Sequence, residues 1–184
     1  MKRVFDVVMS VTALCLLSPL LGAVALLVFL DDGAPVIFRQ QRVGLGNELF
    51  VLYKFRTMHR ETGNRAQNEI KAQARYTRTG RFLRALSLDE LPQLWNVLRG
   101  DMSFVGPRPL IPEEDKVRQL RLRANVYSVL PGMTGWAQIN GRANVTDALK
   151  VALDAEYIAR QSFWLDMKIL FETVWQVIAR KNVG

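Results

Sequence analysis

Cysteine and histidine are almost missing. Of 184 residues one is cysteine, Cys15, and one is histidine, His59. A single thiol excludes a disulfide framework within the chain and any Cys-rich zinc site. A single imidazole excludes a His cluster for metal and a His-pair catalyst. The chain is also too apolar to be disordered: 49% of residues are hydrophobic and 23% charged, and a chain of this length forms one domain with a real core. Acid is scarce beside base, 17 residues against 25, for a net charge of +8. The partner this implies is anionic: nucleic acid, lipid headgroups or a phosphorylated substrate. A membrane-anchored basic nucleic-acid-binding protein satisfies that balance, but no nucleic-acid-binding module or aromatic ladder accompanies it. A membrane-surface adaptor without turnover satisfies it too.

Charge is wholly absent from Val7 to Leu30, a run of 24 residues. As a helix it would extend about 36 Å, against about 30 Å for the hydrocarbon core of a bilayer. The run continues past the small residues Ala23-Val24-Ala25, which argues against a cleaved signal peptide. Ser18-Pro19 lies at its middle. Pro19 cannot donate to the preceding turn and its ring crowds the carbonyl four residues back, while Ser18 can satisfy a freed carbonyl. The break leaves two halves too short to cross alone, with Lys2 and Arg3 before them and Arg39 and Arg42 after, so both flanks are basic. A kinked span and a re-entrant helix both fit. Setting aside Lys2, Arg3 and Asp6 leaves 23 basic and 16 acidic residues in 31–184, so the charge excess belongs to the polar part. The organisation expected is a membrane segment, 1–30, and a polar domain, 31–184.

In the polar domain Pro35–Val43 and Leu49–Thr57 read as strands around a Gly44-Leu45-Gly46-Asn47 turn, a small β-hairpin. Lys54 and Arg56 then share one strand face, a pair suited to phosphate oxygens. Residues 60–80 read as a loop with some helix around Ala66–Ala74, and Phe82–Leu86 as a short amphipathic turn. Helices are expected over Leu88–Leu98, Glu113–Val129 and Asp147–Ala159, the last capped by Thr146, and from a Ser162 cap to about Arg180. Ser103–Pro112 and Pro131–Gly141 read as loops. The final helix carries Met167, Leu170, Phe171, Val174, Trp175 and Ile178 as an apolar stripe. It suits either a core or a bilayer surface, with Trp164, Phe171 and Trp175 at headgroup level. The fold class is α+β and mainly helical.

The stretch from Ser87 to Leu98 is the most informative. Ser87 and Glu90 have the spacing of a capping box, although Pro92 fits better if the helix begins at Asp89. Either way Asp89 and Glu90 stand at a helix start, which keeps them ionised and attracts phosphate. Adjacent helical residues point about 100° apart, so the two suit different jobs. One can attack phosphorus, and the other can hold Mg²⁺ against substrate phosphates. Taken alone, an Asp-Glu pair at a helix start is usually ordinary. Gly106-Pro107-Arg108-Pro109 restricts the backbone on both sides of Arg108, so its guanidinium loses less entropy on gripping phosphate. Arg84 lies five residues before Asp89 and can reach the same place. In Pro131–Gln138, Trp136 suits either a base or sugar platform or the core.

Together, Lys2-Arg3-Val4-Phe5-Asp6, Ser18-Pro19, Lys54-Phe55-Arg56-Thr57-Met58, Ser87–Leu94, Gly100–Pro109 and Gly132–Gln138, in that order, resemble one family from end to end. It is that of the bacterial sugar transferases, the monotopic polyprenyl-phosphate phosphoglycosyl transferases, in their minimal catalytic form. The resemblance implies transfer of a phosphosugar from a UDP-sugar to polyprenyl (undecaprenyl) phosphate, releasing UMP and starting a lipid-linked glycan. It implies Asp89 as nucleophile through a covalent phosphosugar intermediate, Glu90 as Mg²⁺ ligand, and Lys54, Arg84 and Arg108 around metal and phosphates. It turns the Ser18-Pro19 break into a re-entrant helix in one leaflet, with amphipathic interfacial helices and residues 31–184 on the cytoplasmic face of a bacterial inner membrane. Nucleic acid is not an expected partner; a second copy of the chain is left open.

Overall fold

The computed structural model describes residues 1–59, 76–141 and 146–179. The helix expected around Ala66–Ala74 and the last helix's end at Arg180 fall outside the described residues. The first helix, α1, runs from Lys2 to Asp32 with Pro19 inside it. It is not interrupted at Ser18-Pro19, contrary to the two-segment reading. The carbonyl that Pro19 leaves without its backbone donor is that of Cys15, and the Ser18 hydroxyl donates to this oxygen at 2.8 Å. No residue from 11 to 23 is buried.

Both ends of α1 are fastened to the rest of the chain. At the start, Lys2 pairs with Asp166 at 2.5 Å and Arg3 donates to the carbonyls of Val97 and Leu98. The buried Asp6 accepts from the Ser103 hydroxyl and the Phe104 amide. At the far end, Asp31 accepts from the Thr79 amide, and Asp32 meets Arg56 and His59. Val24 and Val28 pack there with Phe55 and Leu83.

The hairpin forms as expected, slightly shorter. β1 (Ile37–Val43) pairs antiparallel with β2 (Leu49–Phe55), from Ile37 opposite Phe55 to Val43 opposite Leu49. Beyond it, α2 (Arg78–Ala85) is a full helix where a turn was expected, with the Thr77 side chain accepting from the Gly80 amide. Gly80 packs so closely on the Thr57 carbonyl that a Cβ would lie 2.1 Å from its oxygen. The helix expected from Leu88 is split. Leu88–Glu90 is a 3₁₀ turn, and α3 is only Gln93–Arg99, beginning after Pro92. The capping box does not form: Ser87 is left-handed (φ 55°) and its side chain caps nothing. Pro92 cannot supply an amide inside a continuous helix, so the chain tightens before it.

The two expected loops each contain a strand. β3 (Ser103–Val105) and β4 (Gly132–Thr134) pair in parallel. The expected single helix over Glu113–Val129 is α4 (Asp115–Arg123) followed, after left-handed Asn125, by a 3₁₀ turn at Val126–Ser128. After β4 come α5 (Trp136–Asn140), α6 (Asp147–Arg160) and α7 (Phe163–Ile178). Thr146 and Ser162 cap α6 and α7 as expected, accepting from Leu149 and Leu165 amides. Val105, Ile139, Tyr157 and Ile169 form the core beneath them, and Leu52, Val97 and Met102 a second one under the hairpin. The architecture is mainly helical α+β.

Candidate active site

The 3₁₀ turn before α3 presents two carboxylates in different surroundings. Glu90 Oε1 accepts from Lys54 Nζ at 2.6 Å and from Arg108 Nη2 at 3.2 Å. Burial alone would raise the Glu90 pKa, but Arg108 and Lys54 outweigh it and hold it at about 2. Asp89 is 5% exposed and forms no ion pair among the described residues. Its burial outweighs the attraction of Lys54 and Arg84, and its pKa is raised. Lys54 in turn has its pKa lowered, chiefly by burial, with Glu90 opposing. One carboxylate is thus clamped in the charged state, and its neighbour is desolvated beside cations that do not bind it.

Of the residues singled out in the sequence, Lys54, Asp89, Glu90 and Arg108 come together. Arg84 contributes to the field at Asp89 while its guanidinium stacks 4.9 Å from the Tyr76 ring. Arg56 does not share the Lys54 face. It lies past the end of β2, is 7% exposed, and donates to the carbonyls of Asp32 and Gly33 at 2.7 Å while pairing with Asp32 at 3.1 Å. The strand ends at Phe55, so the alternation that would have aligned Arg56 with Lys54 stops there; Arg56 closes the end of α1 instead. Trp136 packs on the core and donates its indole N–H to Glu156 at 3.0 Å. His59 sits 2.9 Å from Asp32 Oδ1.

Sequence reasoning missed Asn96. Fully buried in α3, it donates to the Val51 carbonyl at 2.7 Å and accepts from the Tyr53 amide at 3.1 Å. Its amide serves the outer edge of β2 as a neighbouring strand would, fixing α3 and the carboxylates before it against Lys54. A polar residue between Trp95 and Val97 was the available signal. The glycines of the motifs also find their cause. Gly106, Gly132 and Gly135 cross at backbone contact: a Cβ on Gly132 would lie 2.1 Å from the Gly106 nitrogen, and one on Gly135 2.2 Å from the Gly106 oxygen.

No cluster of three or more acidic, His or Cys side chains exists among the described residues to cage a metal. The donor present is Glu90, whose Oε1 meets Lys54 and Arg108. It fits Mg²⁺, which takes one or two carboxylates and fills the remaining positions with water and substrate phosphate oxygens.

A model of the family described as bacterial sugar transferase matches residues 1–180. An undecaprenyl-phosphate glucose phosphotransferase of Komagataeibacter xylinus is 46% identical over 98% of this chain and 36% of its own length. The uncharacterized sugar transferase EpsL of Bacillus subtilis is 44% identical over the whole chain and 90% of its own. A UDP-glucose:undecaprenyl-phosphate glucose-1-phosphate transferase of Caulobacter vibrioides is 43% identical over 98% of the chain and 71% of its own. The chain thus spans about a third of the first of these relatives and most of the other two.

Proposed function

Because the chain belongs to the bacterial sugar transferase family, we propose that it transfers a sugar phosphate from a UDP-sugar to undecaprenyl or another polyprenyl phosphate. The observation that carries this reading is the division between the two carboxylates. Glu90 is fixed as an anion by Lys54 and Arg108, while Asp89 is buried without an ion-pair partner among the described residues. An Asp89 oxygen attacks the sugar-bearing β-phosphorus, the bond from that phosphorus to the bridging oxygen breaks, and UMP leaves with the electron pair. An oxygen of the lipid phosphate then attacks the same phosphorus, the acyl phosphate bond breaks, and Asp89 is returned as polyprenyl diphosphate sugar forms. Lys54 and Arg108 hold the non-bridging oxygens as charge shifts between donor and acceptor. Glu90 would hold Mg²⁺ near the substrate phosphates, where the ion would supply charge neutralisation and Lewis acidity.

The membrane reading rests on α1. It is long and apolar enough to cross a bilayer, yet both its ends are bound to one folded body while no residue from 11 to 23 is buried. A straight crossing would carry the ends to opposite sides. A helix dipping into one leaflet of the inner membrane keeps both on the cytoplasmic side, where nucleotide sugars are, and places the site at headgroup level beside the lipid phosphate.

The test is UMP release by the full chain in detergent with undecaprenyl phosphate and a panel of UDP-sugars, UDP-glucose first. Turnover is expected in the wild type and lost in Asp89→Asn with the fold kept. Labelled sugar trapped on the protein without acceptor should be absent from Asp89→Asn; equal labelling there would refute the assigned nucleophile. For topology, Val4→Cys and Ala34→Cys in a Cys15→Ser background should react from the same side of sealed vesicles. Labelling from opposite sides would refute the dip.

A further inference from the structure

The loop carrying Arg108 is held unusually completely. Four consecutive carbonyls are each taken by a donor, and the donors come from three separate parts of the chain, β4, α4 and the end of β1. The Pro107 oxygen accepts from the Gly132 amide at 2.9 Å. The Arg108 oxygen accepts from Arg121 at 2.7 Å, and the Pro109 oxygen from Arg42 at 3.3 Å. The Leu110 oxygen accepts from the Val43 amide at 2.9 Å. Residues 105–107 and 109–110 are buried and Arg108 alone among them is exposed. The backbone is immobilised so that one guanidinium projects toward Glu90.

Arg121 is the unusual member of this set. It is the one buried residue of α4, at 5% exposure, and its partner Asp154 on α6 is at 2%. Its Nη2 donates to Asp154 Oδ2 at 2.7 Å while its Nη1 donates to the Arg108 carbonyl. Joining α4 to α6 does not require charge: an apolar pair of the same volume docks two helices at least as well, without desolvating two ions. What a guanidinium adds is the fork, which lets one side chain hold a carboxylate and a carbonyl at a fixed angle. Asp154 fixes the fork, and the fork fixes the Arg108 backbone.

We propose that Arg121, oriented by Asp154, is a positioning residue that sets the reach of Arg108 to the phosphates; this rests on the reading of Arg108 as a phosphate-binding group. Neither Arg121 nor Asp154 touches substrate. Their effect passes through the Pro107–Pro109 backbone, where a displacement of about 1 Å at a reacting group can cost about 100-fold in rate.

The discriminating variant is Arg121→Lys. A lysine keeps the charge opposite Asp154, so α4 stays docked and the chain folds, but a single ammonium does not span both acceptors. In UMP release, kcat should fall about 10–100-fold, with the melting temperature within a few degrees of wild type. Asp154→Asn should give a smaller loss of the same kind. In an Arg108→Ala background Arg121→Lys should cost little more, because the group it positions is gone. Hydrogen exchange in 106–111 should quicken in Arg121→Lys while α6 stays protected. Wild-type rates in Arg121→Lys, losses that add fully to those of Arg108→Ala, or unchanged exchange in 106–111 would overturn the proposal. If the wild type releases no UMP from any UDP-sugar, the transfer reading fails by itself. The exchange measurement still decides whether Arg121 holds the loop.

Discussion

Asp89 and Glu90 are neighbours in the chain and opposites in ionisation. Glu90, held at about 2, remains an anion through any working pH, so it cannot set the acid limb of a rate profile. Asp89 can: its pKa lies above the ordinary 3.8, and in the proposed mechanism only the carboxylate attacks. The acid limb of kcat/KM for UMP release is therefore expected to rise with pH through a midpoint above 3.8. Lys54 draws the Asp89 pKa down, so Lys54→Met should move that limb to higher pH and lower kcat about 100-fold, the scale of losing one oriented cation. Stability runs the other way for the two acids. A depressed Glu90 contributes stability that is present above its ordinary 4.5 and is lost as pH falls toward about 2. A raised Asp89 pKa means that its ionised form opposes folding at neutral pH. Asp89→Asn should thus abolish transfer and raise the melting temperature by ~2–4 °C, the shift that about 1 kcal/mol gives in a chain of this size. Calorimetry of the two proteins side by side checks it.

Between elements, the site depends on joints that burial alone does not explain. Asn96→Leu would keep the volume of α3 but leave the Tyr53 amide and Val51 carbonyl without the partners they have now. The expected loss is about 2–3 kcal/mol in a urea titration, with transfer falling further because Asp89 and Lys54 lose their common frame. The same joints mark the limit of what the chain alone reveals. The hairpin and the caps at Thr146 and Ser162 were legible because their causes lie within a few residues: alternation, a Gly-rich turn, a hydroxyl before an apolar run. The four residues that form the charged cluster were legible because motifs in fixed order carry them. β3 and β4 were not, since three-residue strands are too short to show a period, and their parallel pairing joins Ser103 to Gly132 across a long stretch of intervening chain. Arg56 was misplaced because the alternation was extended past the strand's last residue. The split at Pro92 was half legible: the proline signalled trouble, but the left-handed Ser87 that accommodates it is set by packing.

For the whole molecule the question is which surface meets the membrane. The stripe on α7 suited a core or a bilayer surface, and burial separates the two. Ile169 faces the core, whereas Trp164, Phe171 and Trp175 are 60–80% exposed. Spaced seven and four residues apart, these aromatics lie along one side of the helix. Phe163 joins them and stacks edge-on with Phe5 of α1, so the face is continuous with the apolar helix. A body of net +7 behind it is drawn toward anionic lipid. The proposed dip of α1 and the proposed seating of α7 then define one plane, and the joint between them is at Phe5–Phe163. The prediction that separates this seating from α1 anchoring alone is the triple variant Trp164→Ser, Phe171→Ser, Trp175→Ser. It removes no buried side chain, so the melting temperature should stay within a few degrees and α1 should keep the protein in the membrane fraction. In anionic vesicles transfer to the lipid phosphate should fall about 10-fold, because losing aromatic area worth more than about 1.4 kcal/mol at the interface lets the body tilt away from its acceptor. In detergent micelles, which follow the protein's shape, the rate should stay near wild type. Equal rates in both settings would mean that α7 has no part in seating the site.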